Sequence, residues 1–153
     1  MYPLGALTTG LCSFAQNSLT GSIPRQLALI VDLQTFLVDN NKIDGPIPDG
    51  ISALKDLTIF SAHNNKISGV IPTVLGALHK LTEINLAQNR LSGSVPTELG
   101  YLNQLTSLRL EGNPLTGTVP ADVCSLTTEN RLTTFVTDCT RGSIQCSCCS
   151  SCI

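Results

Sequence analysis

The stretch Asn89-Arg90-Leu91-Ser92-Gly93-Ser94-Val95-Pro96-Thr97-Glu98-Leu99-Gly100-Tyr101-Leu102 decides the fold, because its pattern recurs along the chain. Asn17, Asn41, Asn65, Asn89 and Asn113 stand 24 residues apart, and so do Gly21, Gly45, Gly69, Gly93 and Gly117. Pro24, Pro48, Pro72, Pro96 and Pro120 keep the same register, each preceded by Ile23, Ile47, Ile71, Val95 or Val119. A fixed period without insertion or deletion is the mark of a repeat architecture.

The apolar positions between these markers are as regular. Leu33, Phe36 and Val38 recur as Leu57, Phe60 and Ala62, then Leu81, Ile84 and Leu86, then Leu105, Leu108 and Leu110. Their spacing contains one period-2 stretch, which predicts a strand of three to five residues. The segment after each proline has the spacing of a helical turn and room for little more. A strand, a bend, an extended return and a short turn make one coil of a solenoid, whose apolar positions face a core shared with its neighbours.

The same stretch resembles the plant-type leucine-rich repeat, Leu-x-x-Asn-x-Leu-Ser/Thr-Gly-x-Ile-Pro-x-x-Leu-Gly-x-Leu, and the resemblance covers residues 9–128. The family is that of leucine-rich-repeat receptor ectodomains and polygalacturonase-inhibiting proteins. It implies an α/β repeat solenoid, a right-handed superhelix with a parallel sheet on its concave face and short 3-10 or helical turns on the convex side. The run Cys139…Cys146-Ser-Cys-Cys-Ser-Ser-Cys152 is similar to cysteine-rich tails on secreted leucine-rich-repeat proteins of diatoms. The expected organisation is a repeat domain over 1–128, with five repeats, and a cysteine-rich cap over 129–153.

Chemistry explains the recurring residue types. Asparagine carries a donor and an acceptor on a short side chain, so it can satisfy backbone groups at the bend from one coil to the next. Glycine relaxes the return path and proline sets its φ. The repeated Leu, Asn, Gly and Pro are therefore structural, and function must lie on the side chains that the repeat leaves free.

Those side chains alternate outward on the sheet. One row is Thr35, Ile59, Glu83 and Ser107; the next is Leu37, Ser61, Asn85 and Arg109; the third is Asp39, His63, Ala87 and Glu111. Asn40, Asn64, Gln88 and Gly112 border them. Row neighbours are about 4.8 Å apart in such a sheet. The ligand-binding candidates are Thr35, Leu37, Asp39, Ile59, Ser61, His63, Glu83, Asn85, Arg109 and Glu111. Mixed polarity around the apolar Leu37 and Ile59 suits protein or peptide recognition, as in a receptor ectodomain or a secreted inhibitor. The alternative is a surface that recognises polysaccharide or an ice-like lattice, which calls for regular rows of one residue type.

Composition narrows the field further. The chain has 153 residues, 42% hydrophobic and 13% charged, with a formal net charge of −2. With no basic stripe, nucleic acid is not an expected partner. No apolar run approaches the roughly 20 residues of a membrane span. An enzyme is not expected, and no catalytic residue or cofactor is assigned. Asp39 and His63 are row neighbours, but no nucleophile is obviously placed beside them; Ser61 belongs to another row. His79 falls in the loop before a strand, without a plausible metal partner.

Six of the seven cysteines lie after residue 123. Cys124, Cys139, Cys146, Cys148, Cys149 and Cys152 allow three disulfides in fifteen connectivities. Zinc and free thiols are the alternatives, although Cys-x-Cys-Cys-x-x-Cys lacks two knuckles at finger spacing. A disulfide cap over the last coil would belong to an oxidising compartment, and that points to an extracellular or cell-surface location. No Asn-x-Ser/Thr acceptor and no signal-peptide pattern adds to it. Cys12 occupies the inward position of Phe36 and Phe60 and is expected to be a small buried hydrophobe. Leu4-Gly-Ala-Leu7 echoes Leu75-Gly-Ala-Leu78 one residue out of register, so the expectation is an N-terminally truncated chain with apolar side chains around Leu11–Phe14 facing water.

Overall fold

Alternation along Leu33-Gln34-Thr35-Phe36-Leu37-Val38 buries Leu33, Phe36 and Val38 and turns their neighbours outward. The computed structural model, which describes residues 10–128, 131–139 and 144–153, repeats that arrangement from the second coil to the fifth. Strands β1 (Leu11–Ser13) and β2 (Thr20–Ser22) form the first coil, and β3 (Thr35–Leu37) and β4 (Lys42–Gly45) the second. The third coil holds β5 (Ile59–Ser61) and β6 (Lys66–Val70), and the fourth β7 (Glu83–Asn85) and β8 (Arg90–Ser92). The fifth holds β9 (Ser107–Arg109) and β10 (Gly117–Thr118). After helix α1 (Ala121–Thr128) come β11 (Thr134–Thr137), β12 (Ile144–Gln145) and β13 (Ser151–Cys152).

The odd-numbered strands make one parallel seven-stranded sheet in the order β1-β3-β5-β7-β9-β11-β13. Its inward row runs through Cys12, Phe36, Phe60, Ile84, Leu108 and Phe135, paired directly across neighbouring strands. Phe36 and Phe60 stack with ring centroids 5.8 Å apart. Every member of that row is at most 8% exposed, so the sheet's inner face is the core wall.

The return path is more ordered than an extended connector. It forms a second parallel sheet, β2-β4-β6-β8, and β10 pairs with β12 beyond it. Extended segments stacked one coil apart lie at strand spacing, so their backbone groups pair, as when the Lys42 N–H donates to the Leu19 carbonyl at 2.8 Å. Pro24, Pro48, Pro72 and Pro96 each then open a five-residue 3-10 turn, as Pro72, with φ −72°, precedes Thr73–Ala77, whereas Pro120 leads into an α-helix. The turns at Arg25–Leu29, Asp49–Ala53 and Thr97–Tyr101 follow the same rule, and each buries one apolar side chain, Leu27, Ile51 or Leu99. Adjacent turns approach closely: a Cβ on Gly76 would sit 2.3 Å from the Glu98 carbonyl oxygen.

The asparagines lock coil to coil. Asn89 donates to the carbonyls of Ala62, Leu86 and Ala87 at 2.9–3.2 Å, and its Oδ1 accepts the Ile67 N–H at 2.9 Å. Asn41, Asn65 and Asn113 repeat this with Leu19, Ile43 and Leu91 as the donors. At the next step Asp138 takes over, accepting the N–H groups of Gly112 and Asn113 on Oδ2.

The two ends differ. Beyond the fifth coil, Val123, Leu126, Leu132, Phe135 and Ile144 are 0–3% exposed, so the cap continues the core and adds two strands to the main sheet. The six candidate cysteines pair as Cys124–Cys148, Cys139–Cys152 and Cys146–Cys149, and sulfurs joined to each other cannot serve as zinc thiolates. Cys12 is a free, buried thiol. At the other end Leu11, Phe14, Leu19, Leu29 and Val31 are 41–78% exposed, and all of them but Leu11 line an apolar groove with the inner residues Leu27 and Phe36. Leu4–Leu7 lie outside the described residues.

Candidate functional site

The strand registers place the outward rows directly side by side. The first row is Leu11, Thr35, Ile59, Glu83, Ser107 and Thr134; the second is Ser13, Leu37, Ser61, Asn85, Arg109, Val136 and Ser151. The ladder carries on past the strand ends: Asn40 donates to the His63 carbonyl, Asn64 to Ala87 and Gln88 to Glu111 at 2.7–3.0 Å. The third row, Asp39, His63, Ala87 and Glu111, therefore stays in register as well. All ten candidates are gathered on one face of one sheet.

They are not equally accessible. Thr35, Leu37, Asp39, Ile59, His63, Glu83 and Asn85 are half-buried and Arg109 is exposed. Ser61 and Glu111, expected on the surface, retain only 6% and 5% exposure. Ser61 is drawn down by Asp39, whose Oδ1 accepts its hydroxyl at 2.5 Å and the His63 backbone N–H at 2.7 Å. Glu111 is held by Arg109, whose Nε donates to Oε1 at 2.9 Å and whose Nη2 also reaches Oε1. These two side chains brace their neighbours, and the accessible chemistry is that of the residues above them.

Asp39 meets the backbone of His63 and the hydroxyl of Ser61, and not the imidazole, so Ser61, His63 and Asp39 do not line up as nucleophile, base and orienting acid. The His63 Nδ1 is buried without a hydrogen-bond partner. Among the described residues no group of three or more His, Cys, Asp or Glu is placed to hold a metal ion. The face can offer a guanidinium, an amide, carboxylates and hydroxyls around the apolar Leu37 and Ile59, on a lattice that the buried asparagines hold rigid.

Two features of this face lie outside the 24-residue pattern. The cap contributes Thr134, Val136 and Ser151, and nothing in the repeat signals them, since Thr134 follows its partner Ser107 by 27 residues. At the entry side of the sheet, Thr58, Thr82, Thr106 and Thr133 form a hydroxyl ladder, each donating to the carbonyl one coil back, of Gln34, Thr58, Thr82 and Thr106, at 2.9–3.1 Å. The recurrence of Thr58, Thr82 and Thr106 at the repeat period is a signal that could have revealed it.

Two family models, both described as leucine rich repeat, match residues 49–115 and 32–54, and together they cover residues 32–115. Among curated proteins, nothing matches. The fold is similar to that of the plant peptide hormone receptor RGFR1 in complex with RGF2, with a TM-score of 0.79 and 32% identity over 83% of this chain and 20% of that one. It is also similar to the BIR3–SERK2 complex from Arabidopsis thaliana, with a TM-score of 0.71 and 36% identity over 74% of this chain and 61% of that one. A plant ice-binding protein has a TM-score of 0.74 and 32% identity over 88% of this chain and 42% of its own. The chain spans less than two thirds of each of these relatives. No helix among the described residues is long and apolar enough to cross a membrane.

Proposed function

The chain belongs to the leucine-rich-repeat family, and from that membership we propose that it is an extracellular module that recognises a protein or peptide through the outer face of its seven-stranded sheet. The observation that carries this reading is the division of labour along each coil. The repeating apolar positions from the second coil onward are buried, while the outer rows change from Thr35 to Ile59 to Glu83 to Ser107 and from Leu37 to Asn85 to Arg109. A rigid frame bearing varied side chains is what selective recognition requires. The peptide-hormone receptor complex and the BIR3–SERK2 complex among its structural relatives support the same reading. Three disulfides support an oxidising, extracellular setting.

The affinity expected of this chain alone is modest. Seven strands at about 4.8 Å span roughly 29 Å. Three outward rows add about 10–13 Å, so the projected face is a few hundred Å2 against about 800 Å2 per partner in stable interfaces. Arg109 is the expected anchor, with Leu37, Ile59 and Asn85 beside it and Asp39, His63 and Glu83 around them. Peptides selected from a random display library against the immobilised chain provide the test. Arg109→Ala and Asp39→Ala should abolish capture, whereas Lys66→Ala, on the second sheet, should leave it unchanged. Loss with Lys66→Ala alone would move the site off this face.

A second reading, recognition of a polysaccharide or ice lattice, draws on the threonine ladder. Thr58, Thr82, Thr106 and Thr133 supply the regular single-residue row that the variable rows lack, and an ice-binding protein is among the structural relatives. Its discriminating variant is Thr82→Val with Thr106→Val. Loss of ice-recrystallisation inhibition or glycan-array binding in that variant, with peptide capture intact, would favour the lattice.

A further inference from the structure

Cys146-Ser147-Cys148-Cys149 places three cysteines within four residues, and α1 brings a fourth, Cys124, against them. Two disulfides result, Cys146–Cys149 with a sequence separation of 3 and Cys124–Cys148 with a separation of 24. The Cys146 Sγ lies 4.0 Å from the Cys148 Sγ, so a sulfur of one bridge is in contact with a sulfur of the other. All four residues are half-buried, open to a small reagent. The recognition face has no use for this cluster.

We propose that Cys146–Cys149 is a thiol–disulfide exchange site that takes a dithiol as its substrate and relays the opening to Cys124–Cys148. The Cys146–Cys149 bridge, of separation 3, lies within the tail, so its opening frees a sulfur that stands 4.0 Å from Cys148 while the tie from the tail to α1 is still closed. A thiolate of the dithiol attacks the Cys149 Sγ; the Cys146–Cys149 bond breaks and Cys146 leaves as a thiolate. The second thiol of the reagent closes on the mixed disulfide, releasing Cys149 as a thiolate and the reagent as its own disulfide. Two electrons and two protons have then passed from the dithiol to the cysteines and water.

The liberated Cys146 thiolate faces Cys148 across 4.0 Å. Its attack forms Cys146–Cys148, breaks Cys124–Cys148, and expels Cys124 as a thiolate that takes a proton from water. This second step is redox-neutral. Its result is structural: α1 loses its covalent tie to the tail, while the new bridge stays within the tail.

The test is timed alkylation of the oxidised full chain in limiting dithiothreitol, with the bridges mapped by mass spectrometry. The expected early species is alkylated at Cys124 and Cys149 and carries Cys146–Cys148. In Cys146→Ser/Cys149→Ser, release of Cys124 should slow by about tenfold or more, because direct attack on Cys124–Cys148 is all that is left. A substitution that only loosened the cap would speed that release. Cys149→Ser alone, which leaves Cys146 as a thiol, should show alkylated Cys124 without any reductant. Release from the double variant at the parental rate or faster, or an early species with Cys124–Cys148 intact and Cys146 alkylated, would overturn the relay.

Discussion

Arg109 and Glu111, two residues apart at the end of β9, form an ion pair in which the Arg109 side chain is 44% exposed and the Glu111 side chain 7%. The guanidinium is thus both the one candidate side chain exposed on the outer face of the sheet and the partner of a carboxylate that has lost most of its water. Burial of an ion is tolerated when its partner and hydrogen bonds are present and costs several kcal/mol when they are removed.

Arg109→Ala should therefore weaken the fold as well as any binding. The expected loss is about 1–2 kcal/mol, below the range for fully buried pairs because the guanidinium is partly in water. Arg109→Ala with Glu111→Ala should recover part of it in a double-mutant cycle read by chemical denaturation. Additive single effects would mean that the pair contributes nothing.

The asparagines offer a graded comparison. Asn89 is 7% exposed and serves two coils, whereas Asn17 is exposed and its side chain donates to Phe14 and Ala15 within its own coil. Asn89→Ala leaves the buried Ile67 N–H unpaired and takes from the Ala62 carbonyl the shorter of its two amide donors, Asn65 being the other, and should cost about 2–3 kcal/mol, while Asn17→Ala should cost under about 1 kcal/mol. Equal losses in urea denaturation would show that the asparagine's own bend, and not the link between coils, is what matters.

Glycine placement gives a third comparison. A methyl on Gly76 would meet the Glu98 backbone oxygen at 2.3 Å, whereas one on Gly50 would meet the Ala28 Cβ at 3.2 Å. Gly76→Ala should destabilise by about 2–3 kcal/mol through overpacking, and Gly50→Ala by well under half of that. Thermal unfolding of both variants checks the order, and a reversal would mean that the turns are not packed this closely.

Cys12 connects burial to pH. Burial pushes its thiol above the ordinary value of 9.0, because the thiolate is the poorly solvated form. A raised folded-state pKa gives stability that is complete below the unfolded value and is lost as pH rises through the folded one. Denaturation midpoints above pH 9.0 should therefore fall more steeply for the parent chain than for Cys12→Ala. Identical slopes would place Cys12 in water.

The sequence by itself determined the coil, because neighbouring coils present the same surroundings every 24 residues. The same residue types therefore return at Leu33, Leu57 and Leu81, at the ladder from Asn41 to Asn113, and at Pro24 through Pro96. Inward Cys12 and the shared outer rows followed from that register. What lay outside the period needed the tertiary structure. Thr134–Thr137 and Ser151–Cys152 join the main sheet, the return segments pair into a second sheet, and Cys124 and the five tail cysteines choose one pairing. Accessibility within the face was also decided there. Ser61 and Glu111 stand in outward positions like their neighbours, yet they are buried because Asp39, one strand away from Ser61, and Arg109, bending over Glu111, bind them. A period shows which way a side chain points; only its neighbours in space decide whether it reaches water.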